Sequence, residues 1–150
     1  MKIAVISDTH DMLRPELLAQ LAGCDRILHA GDVVDQIVLD RLRAVAPTVA
    51  VLGNNDEWYG MKYPHIYKET IGGLAVVMAH KLENALRAGP ADIVITGHTH
   101  RYAEKTENGC LYLNPGSCGT MRCMHMQATY AFLHITDGKV TVEKRMLSAP

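Results

Sequence analysis

The sequence lacks the features that would place it in a membrane or in a disulfide scaffold. No apolar run approaches the roughly 18 residues of a membrane span, and the N-terminal apolar run is too short for a signal peptide. The four cysteines show no CxxC spacing, which favours free thiols in a reducing compartment. We therefore expect a cytoplasmic protein that has no contact with a membrane.

Excess charge of one sign is also lacking. The formal net charge is −1, and lysine and arginine are spread along the chain, so we expect no broad nucleic-acid-binding surface. The 150 residues, of which 48% are apolar, are enough for a core without disulfides, because a domain of this size buries roughly 68–70% of its unfolded surface. No linker, repeat or low-complexity segment is visible, so we expect a single domain over residues 1–150.

Short apolar runs recur along the first two thirds of the chain, and each stops at a polar residue that is able to bind a metal. Runs of this length that are rich in valine and isoleucine and bounded by glycine are typical of buried strands. Helical patterns over Pro15–Leu21 and Asp35–Val45 separate several of the runs. The second pattern places four apolar residues roughly on one face, namely Ile37, Leu39, Leu42 and Val45.

Alternating strands and helices predict a largely parallel sheet, in which ligands bind beyond the carboxyl ends of the strands. Three glycine-containing turns, Gly72-Gly73, Asn108-Gly109 and Asp137-Gly138, add hairpins to this pattern. The predicted fold class is therefore α/β, with two packed mixed β-sheets flanked by helices in an αββα sandwich. The candidate ligands that follow the strand ends are Asp8, His10, Asp32, Asn54, His80, His98 and His100.

These candidates comprise two carboxylates, four imidazoles and one amide oxygen, with no thiolate. Such a set suits Mn²⁺, Fe, Zn²⁺, Ni²⁺ or Co²⁺ better than Cu⁺, Mg²⁺ or Ca²⁺. It exceeds the needs of one four-coordinate ion and suits two ions, roughly 3.5–4 Å apart, that share a carboxylate. Asp8 and His10 are two residues apart, as are His98 and His100. In an extended backbone, each pair would point towards a common centre.

The order and spacing of these motifs resemble the signature of the calcineurin-like metallophosphoesterases. The matching motifs are Asp8-x-His10, Gly31-Asp32, Gly53-Asn54, His80 and Gly97-His98-Thr99-His100. The chain is similar in particular to the small bacterial and archaeal phosphodiesterase branch that is related to Vps29. An Asn-Pro-Gly-Ser turn, such as Asn114-Pro115-Gly116-Ser117, is typical of that branch.

The resemblance implies a metal-dependent phosphodiesterase in which a hydroxide that bridges two divalent ions attacks phosphorus in line. Mn²⁺ is the first choice of metal, and the substrate would be a small-molecule phosphate ester, nucleotide-like esters included. By this resemblance, Asp32 bridges the ions. The other ligands divide into Asp8, His10 and His100 for one ion and Asn54, His80 and His98 for the other.

Two other functions stay open on the same fold, namely a non-catalytic protein-binding scaffold and a phosphomonoesterase of small metabolites. None of the seven ligand positions is replaced, which favours the enzyme over the scaffold. Many family members carry histidine directly after the Gly-Asn pair, where this chain has Asn55. Asparagine donates a hydrogen bond but no proton, so we expect Asn55 to play a limited catalytic role and good leaving groups to be preferred.

Two further positions bear on the site. Lys81 replaces the glycine that usually follows the histidine at position 80 and weakens that local pattern. Arg122 lies where the family often has arginine after the Asn-Pro-Gly-Ser turn. It is a second candidate catalytic residue, either binding substrate phosphate through its planar guanidinium or holding the loop in place.

The remaining unusual residues have two readings each. Cys118–Met126 holds three methionines, two cysteines and one histidine, which suits a soft-metal site or, more often, apolar packing in a loop or at the subunit contact of a homo-oligomer. Trp58 and Tyr59 follow shortly after Asn54. They form either a stacking rim for a nucleotide base or aromatic leaving group, or contacts in the core or at an interface. His29 and His134 lie in apolar strands, and we expect them to be hydrogen-bonded core or half-buried residues.

Overall fold

The computed structural model describes residues 1–10, 12–119 and 127–148. Within these ranges the chain forms two five-stranded sheets and four helices. The elements in chain order are β1 (Lys2–Ile6), α1 (Pro15–Leu21), β2 (Arg26–His29), α2 (Gln36–Val45), β3 (Thr48–Ala50), α3 (Asn54–Trp58), β4 (Ile66–Ile71), β5 (Leu74–Ala79), α4 (Leu82–Arg87), β6 (Ile93–Ile95), β7 (Tyr102–Glu107), β8 (Cys110–Pro115), β9 (Thr129–Thr136) and β10 (Lys139–Met146).

Both sheets are mixed, as predicted. The first has the strand order β10-β9-β1-β2-β3 and the second has the order β4-β5-β6-β8-β7. Strands β1, β2 and β3 are parallel in the first sheet, and β5, β6 and β8 are parallel in the second. The three predicted hairpins pair β4 with β5, β7 with β8 and β9 with β10 in antiparallel register.

Strand β1 is buried on both faces, which explains its continuous apolar run. Because successive side chains point to opposite faces of a strand, Ile3 and Val5 pack into the core between the sheets with Met78 and Ile93. Ile6 belongs to the outer core with the buried leucines of α1 and α2. Helix α4 packs against the outer face of the second sheet through its own small cluster. The αββα sandwich is therefore confirmed.

The predicted apolar face of α2 was wrong at one position. Ile37 is 57% exposed, whereas Val38, Leu39 and Leu42 are buried. The helix begins at Gln36, and the carboxylate of the preceding Asp35 accepts a hydrogen bond from the amide of Ile37 at 3.0 Å. This N-cap sets a phase in which residues 38, 39 and 42 face the core. No helix in the described ranges is long and apolar enough to cross a membrane.

Candidate metal centre

The seven predicted ligands lie beyond the carboxyl ends of five parallel strands, three from the first sheet and two from the second. Asn54 is the first residue of α3, and the other six lie in loops. The loops of both sheets meet at the same end of the sandwich. The strands and the ligands that follow them are β1 with Asp8 and His10, β2 with Asp32, β3 with Asn54, β5 with His80, and β6 with His98 and His100.

Four of these side chains form one group. Asp8, His10, Asp32 and His100 each bring a ligand atom within 4.8 Å of the others, and the first three side chains are buried. The Nε2 atom of His100 lies 3.1 Å from Oδ1 of Asp8. The rings of His10 and His100 meet edge to face, with 5.4 Å between their centroids.

The other three ligands form a second group around Asn54. Its Oδ1 atom lies 3.1 Å from Nε2 of His80 and 3.3 Å from Nδ1 of His98. The same Nε2 atom of His80 lies 3.5 Å from Oδ2 of Asp32. The carboxylate of Asp32 therefore lies between the two groups.

The backbone of the ligand loops differs from the extended geometry that was predicted. Non-glycine residues with positive φ are uncommon, and each residue held in this conformation costs about 1–3 kcal/mol. His98 and His100 do not point to one centre, because the ring of His98 lies 5.2 Å from that of His80 while His100 lies against His10. The ligands in the left-handed region, with their φ values, are Asp8 (53°), His10 (50°), Asp32 (62°), His98 (73°) and His100 (62°).

The two carboxylate oxygens of Asp8 differ in their hydrogen bonds. Oδ2 accepts hydrogen bonds from the hydroxyl of Ser7 at 2.6 Å and from the amide of His98 at 3.1 Å. Oδ1 is buried and lies 3.1 Å from Nε2 of His100, but it accepts no well-aligned hydrogen bond in the described part of the chain. A buried carboxylate oxygen in this state is costly unless a cation compensates it. This environment fits a metal ion bound between Asp8 and its histidine neighbours.

His80 is oriented as a metal-binding histidine usually is. Its Nδ1 atom lies 2.7 Å from the carbonyl oxygen of Ala30. Since a carbonyl only accepts, Nδ1 carries the hydrogen, and Nε2 faces Asn54 and Asp32. Metal-ligating histidines commonly donate their other ring nitrogen to a carbonyl in this way. The structure thus places His80 beside Asn54 and Asp32, two other candidate ligands, although Lys81 breaks the local motif.

Charge couples His80 to the carboxylates of the centre. Burial alone would lower the pKa of His80, but the hydrogen bond to Asp32 and the charges of Asp8 and Asp32 outweigh burial and raise it. For Asp32, burial is likewise outweighed by His80 and by hydrogen bonds from Asn55, so its pKa is held well below the usual range. The protein without metal therefore favours a protonated imidazole against an ionised carboxylate.

Asn55 contacts Asp32 through both backbone and side chain. Its amide nitrogen donates to Oδ1 of Asp32 at 2.9 Å, and its Nδ2 donates to Oδ2 at 2.8 Å. The structure therefore places this predicted catalytic residue beside the ligands as a group that orients Asp32. The other predicted catalytic residue, Arg122, lies outside the described residues, as does most of the segment Cys118–Met126.

Asp56 is an important site residue that the sequence analysis did not single out. Its buried carboxylate accepts hydrogen bonds from the amides of Asp32 at 2.8 Å, Gly53 at 2.9 Å and Val34 at 2.6 Å. Burial raises its pKa against the opposing effect of these bonds. An acidic residue at the third position of a helix is half of a capping box. That local signal could have identified its contact to Gly53, but not the bonds to the Asp32 loop.

The Asn-Pro-Gly-Ser turn fixes two ligand loops at once. The side chain of Asn114 donates to the carbonyl of Gly97 at 2.9 Å, and the hydroxyl of Ser117 donates to the carbonyl of Asp8 at 2.9 Å. Gly97 has no room for a side chain, because an added Cβ would lie 2.1 Å from the hydroxyl oxygen of Ser7. The turn and the glycine therefore bring the loops after β1 and β6 into direct contact.

The two histidines that were expected to be structural behave as predicted. His29 is fully buried, and burial lowers its pKa to about 4. Its Nδ1 accepts from the amide of Gly31 at 3.1 Å, so Nε2 carries the hydrogen and donates to the hydroxyl of Thr9 at 2.9 Å. His134 is half-buried and pairs with Glu143.

The two aromatic residues beside the Asn54 loop are not core residues. Trp58 is 85% exposed and Tyr59 is 63% exposed. Both lie at the end of α3, whose first residue is Asn54. A core role for these two residues within this chain is therefore wrong, whereas the stacking rim and the interface role stay predictions.

Comparisons with known proteins agree with this geometry. A sequence model described as a calcineurin-like phosphoesterase superfamily domain matches residues 1–138. A probable metallophosphoesterase of Methanocaldococcus jannaschii is 32% identical over 139 residues, which cover 82% of this chain and 71% of the relative. Wild-type Vps29 of Entamoeba histolytica, complexed with Zn²⁺, has a TM-score of 0.77 and 25% identity, with 97% of this chain and 99% of that chain covered. A novel archaeal phosphodiesterase has a TM-score of 0.75 and 26% identity, with 98% and 100% covered.

Proposed function

The chain belongs to the calcineurin-like phosphoesterase superfamily, and we propose that it is a phosphodiesterase whose centre binds two divalent transition-metal ions. The observation that carries this proposal is the grouping of the ligands. Four side chains converge around Asp8, three converge around Asn54, and Asp32 lies between the groups. A shared carboxylate between two ligand sets is the arrangement that a two-metal site requires.

In this proposal, the distances between the side chains assign the ligands to two ions. Asp32 is shared, and its two oxygens are oriented by Asn55. Nitrogen-rich sites of this kind accept Mn²⁺, Fe, Zn²⁺, Ni²⁺ or Co²⁺, of which we propose Mn²⁺. The other assignments are Asp8, His10 and His100 for one ion and Asn54, His80 and His98 for the other.

When bound, two such ions supply a deprotonated water at neutral pH and stabilise charge on the phosphoryl oxygens. The residues of this chain hold that arrangement in place. Ser7 and the amide of His98 fix Asp8, and Asp56 fixes the backbone of the Asp32 loop. Asn55 has no proton to give to a leaving group, so we propose diesters with good leaving groups as substrates.

A second candidate is a protein-binding scaffold. The similarity to Vps29 extends over nearly the whole chain, and the exposed Trp58 and Tyr59 beside the centre offer an apolar contact surface. We favour the enzyme because the ligands are all present and because the buried Oδ1 of Asp8 calls for a cation.

Metal analysis combined with turnover tests the proposal. The purified protein is assayed on bis(4-nitrophenyl) phosphate and 4-nitrophenyl phosphate, with and without chelator. We expect bound transition metal, faster hydrolysis of the diester, and loss of activity in Asp32→Ala but not in the exposed control Asp40→Ala. Absence of metal together with absence of hydrolysis overturns the enzyme, and near-native turnover of Asp32→Ala overturns the two-metal assignment.

A further inference from the structure

A cavity of about 710 Å³ opens on the outer face of the second sheet, next to the metal centre. One wall is helix α4, which contributes Leu82 and Leu86. Both leucines are about half exposed, so the described part of the chain leaves them uncovered. The floor is formed by strands β6, β8 and β7, which α4 does not cover completely.

The strand register arranges the floor in two rows. Alternate residues of a strand share a face, and a step of two residues is roughly 7 Å along the strand. Near the centre, Asn114 pairs with Ala103, so the floor there is formed by small side chains. In the next row, Tyr112 pairs with Val94 on one side and with Lys105 on the other. This row therefore contains an aromatic ring, and the ammonium of Lys105 lies 5.4 Å from the centroid of that ring.

The cavity is continuous with the metal centre because they share residues. His98 and Asn114 line it. His98 is a candidate ligand beside Asn54, and Asn114 donates a hydrogen bond to the His98 loop at Gly97. Lys81 lines the same end. A phosphate at the metals would therefore have a cation and an apolar channel beside it.

From these features we infer that the cavity binds one organic arm of the substrate, an aromatic or similarly apolar group esterified to the phosphate. The inference rests on the proposed phosphodiesterase function. The volume lies within the range of about 300–1,000 Å³ that is typical of small-molecule sites. Beside the apolar walls, the cavity is lined by the charged side chains of Lys81, Glu83, Lys105 and Glu107. Tyr112 contributes an aromatic ring that lies beside the Lys105 ammonium, and Leu82 and Leu86 offer aliphatic contacts on the opposite wall. Because the cavity is continuous with the metal centre, a group bonded to phosphorus would enter it directly. A protein partner would not need a cavity that adjoins the centre.

Two phosphonates test the inference without requiring turnover. Phenylphosphonate carries one aromatic arm, and methylphosphonate carries the same acid without it. Their dissociation constants are measured by calorimetry on the metal-loaded protein, and their inhibition constants are measured against the diester. We expect phenylphosphonate to bind at least about tenfold more tightly, since burial of a ring is worth that much.

The variants Tyr112→Ser and Leu86→Ser should remove most of this preference and leave the affinity for methylphosphonate unchanged. Leu86 is exposed, so its variant should fold even if the tyrosine variant does not. The control is Ile37→Ser, an exposed apolar residue on α2, which should retain the preference. The preference is the ratio of the dissociation constant for methylphosphonate to that for phenylphosphonate. A ratio near one in the wild type, or a ratio that both variants leave unchanged, overturns the inference. If the variants change the molecular mass of the protein in solution but not the preference for phenylphosphonate, the inference is also overturned. The cavity would then be occupied by a second copy of the chain.

The two proposals can fail separately. If phenylphosphonate binds through Tyr112 but no diester is hydrolysed, the arm-binding cavity stands and the phosphodiesterase proposal is wrong. If diesters are hydrolysed and the variants do not alter the preference, the phosphodiesterase proposal stands and the cavity does not bind the arm.

Discussion

His80 and Ala30 join the two sheets through a single hydrogen bond, in which Nδ1 of His80 donates to the carbonyl oxygen of Ala30 over 2.7 Å. Ala30 follows β2 of the first sheet, and His80 follows β5 of the second. The bond therefore fixes the tautomer of His80 by the packing of the sandwich itself. Its Nε2 atom is left facing Asn54 and Asp32.

Removal of His80 should affect one metal more than the other. In His80→Ala we expect the metal content to fall from two ions per chain towards one, because His80 lies with Asn54 rather than with His10. Metal content is measured by mass spectrometry of the purified protein. The exposed His65→Ala is the control and should retain both ions. Full occupancy in His80→Ala would remove His80 from the ligand set.

Asp56→Asn should weaken the hydrogen bonds that hold the ligand loops, although the two side chains are of nearly equal size. The amide of asparagine has a single acceptor oxygen, and its NH₂ group would face amides that Asp56 now accepts from. We expect a loss of about 1–3 kcal/mol in the free energy of unfolding and weaker metal binding. Both are measured, by denaturant titration and by metal titration. Asp40→Asn on the surface of α2 is the matched control, and equal effects of the two variants would contradict the role of Asp56.

Gly53→Ala should damage the centre by direct contact. An added Cβ would lie 2.2 Å from Oδ1 of Asp32 and 2.4 Å from its backbone nitrogen, so the shared carboxylate has to move. We expect metal affinity to fall by about 10–100-fold, the range found when groups that orient ligands are altered. Gly138→Ala is the control, because an added Cβ there meets nothing within 4 Å. Unchanged metal affinity in Gly53→Ala would show that the loop adapts.

His29 should make the stability of the metal-free protein depend on pH. Burial lowers its pKa to about 4 in the folded state, against about 6.5 in an unfolded chain. The unfolded state therefore binds a proton first as the pH falls. The free energy of unfolding should decrease between pH 6.5 and pH 4, by about 3 kcal/mol in total, with no further loss from this group below that window.

Comparison of the wild type with His29→Gln isolates this effect from that of other groups. The variant should be less stable at pH 8, since it loses a buried hydrogen bond, but its stability should decline less as the pH is lowered. Urea titrations at several pH values in the presence of chelator measure both quantities. The exposed His65→Gln should follow the wild type. Parallel curves for His29→Gln and the wild type would contradict the prediction.

Much of the fold could be predicted from the sequence because its signals are local. Apolar runs, turn pairs such as Asp137-Gly138, and the strand-helix alternation identified the elements, and α1 has the predicted bounds of Pro15–Leu21. The phase of α2 was less accessible. Its apolar residues allow more than one face, and the cap at Asp35 decides between them.

The candidate ligands could be predicted because each follows the end of a strand. The residues that hold the ligands in place by hydrogen bonds could not be predicted. Asp56 bonds to Asp32 across 24 positions, and Ser117 bonds to Asp8 across 109. Contacts at such separations leave no periodic pattern in the sequence. The left-handed backbone of the ligand loops has the same origin, because tertiary contacts rather than local preference impose it.

The left-handed conformation of five ligands has a consequence for evolution as well as for mutagenesis. A descendant of this chain that gave up metal binding would relieve the backbone strain at these positions by replacing the residues with glycine, which adopts that conformation freely. Retention of aspartate and histidine at such positions is then a trade of stability for activity. For the same reason, Asp32→Gly removes the side chain without the backbone penalty that alanine adds, and it separates the loss of a ligand from the distortion of its loop.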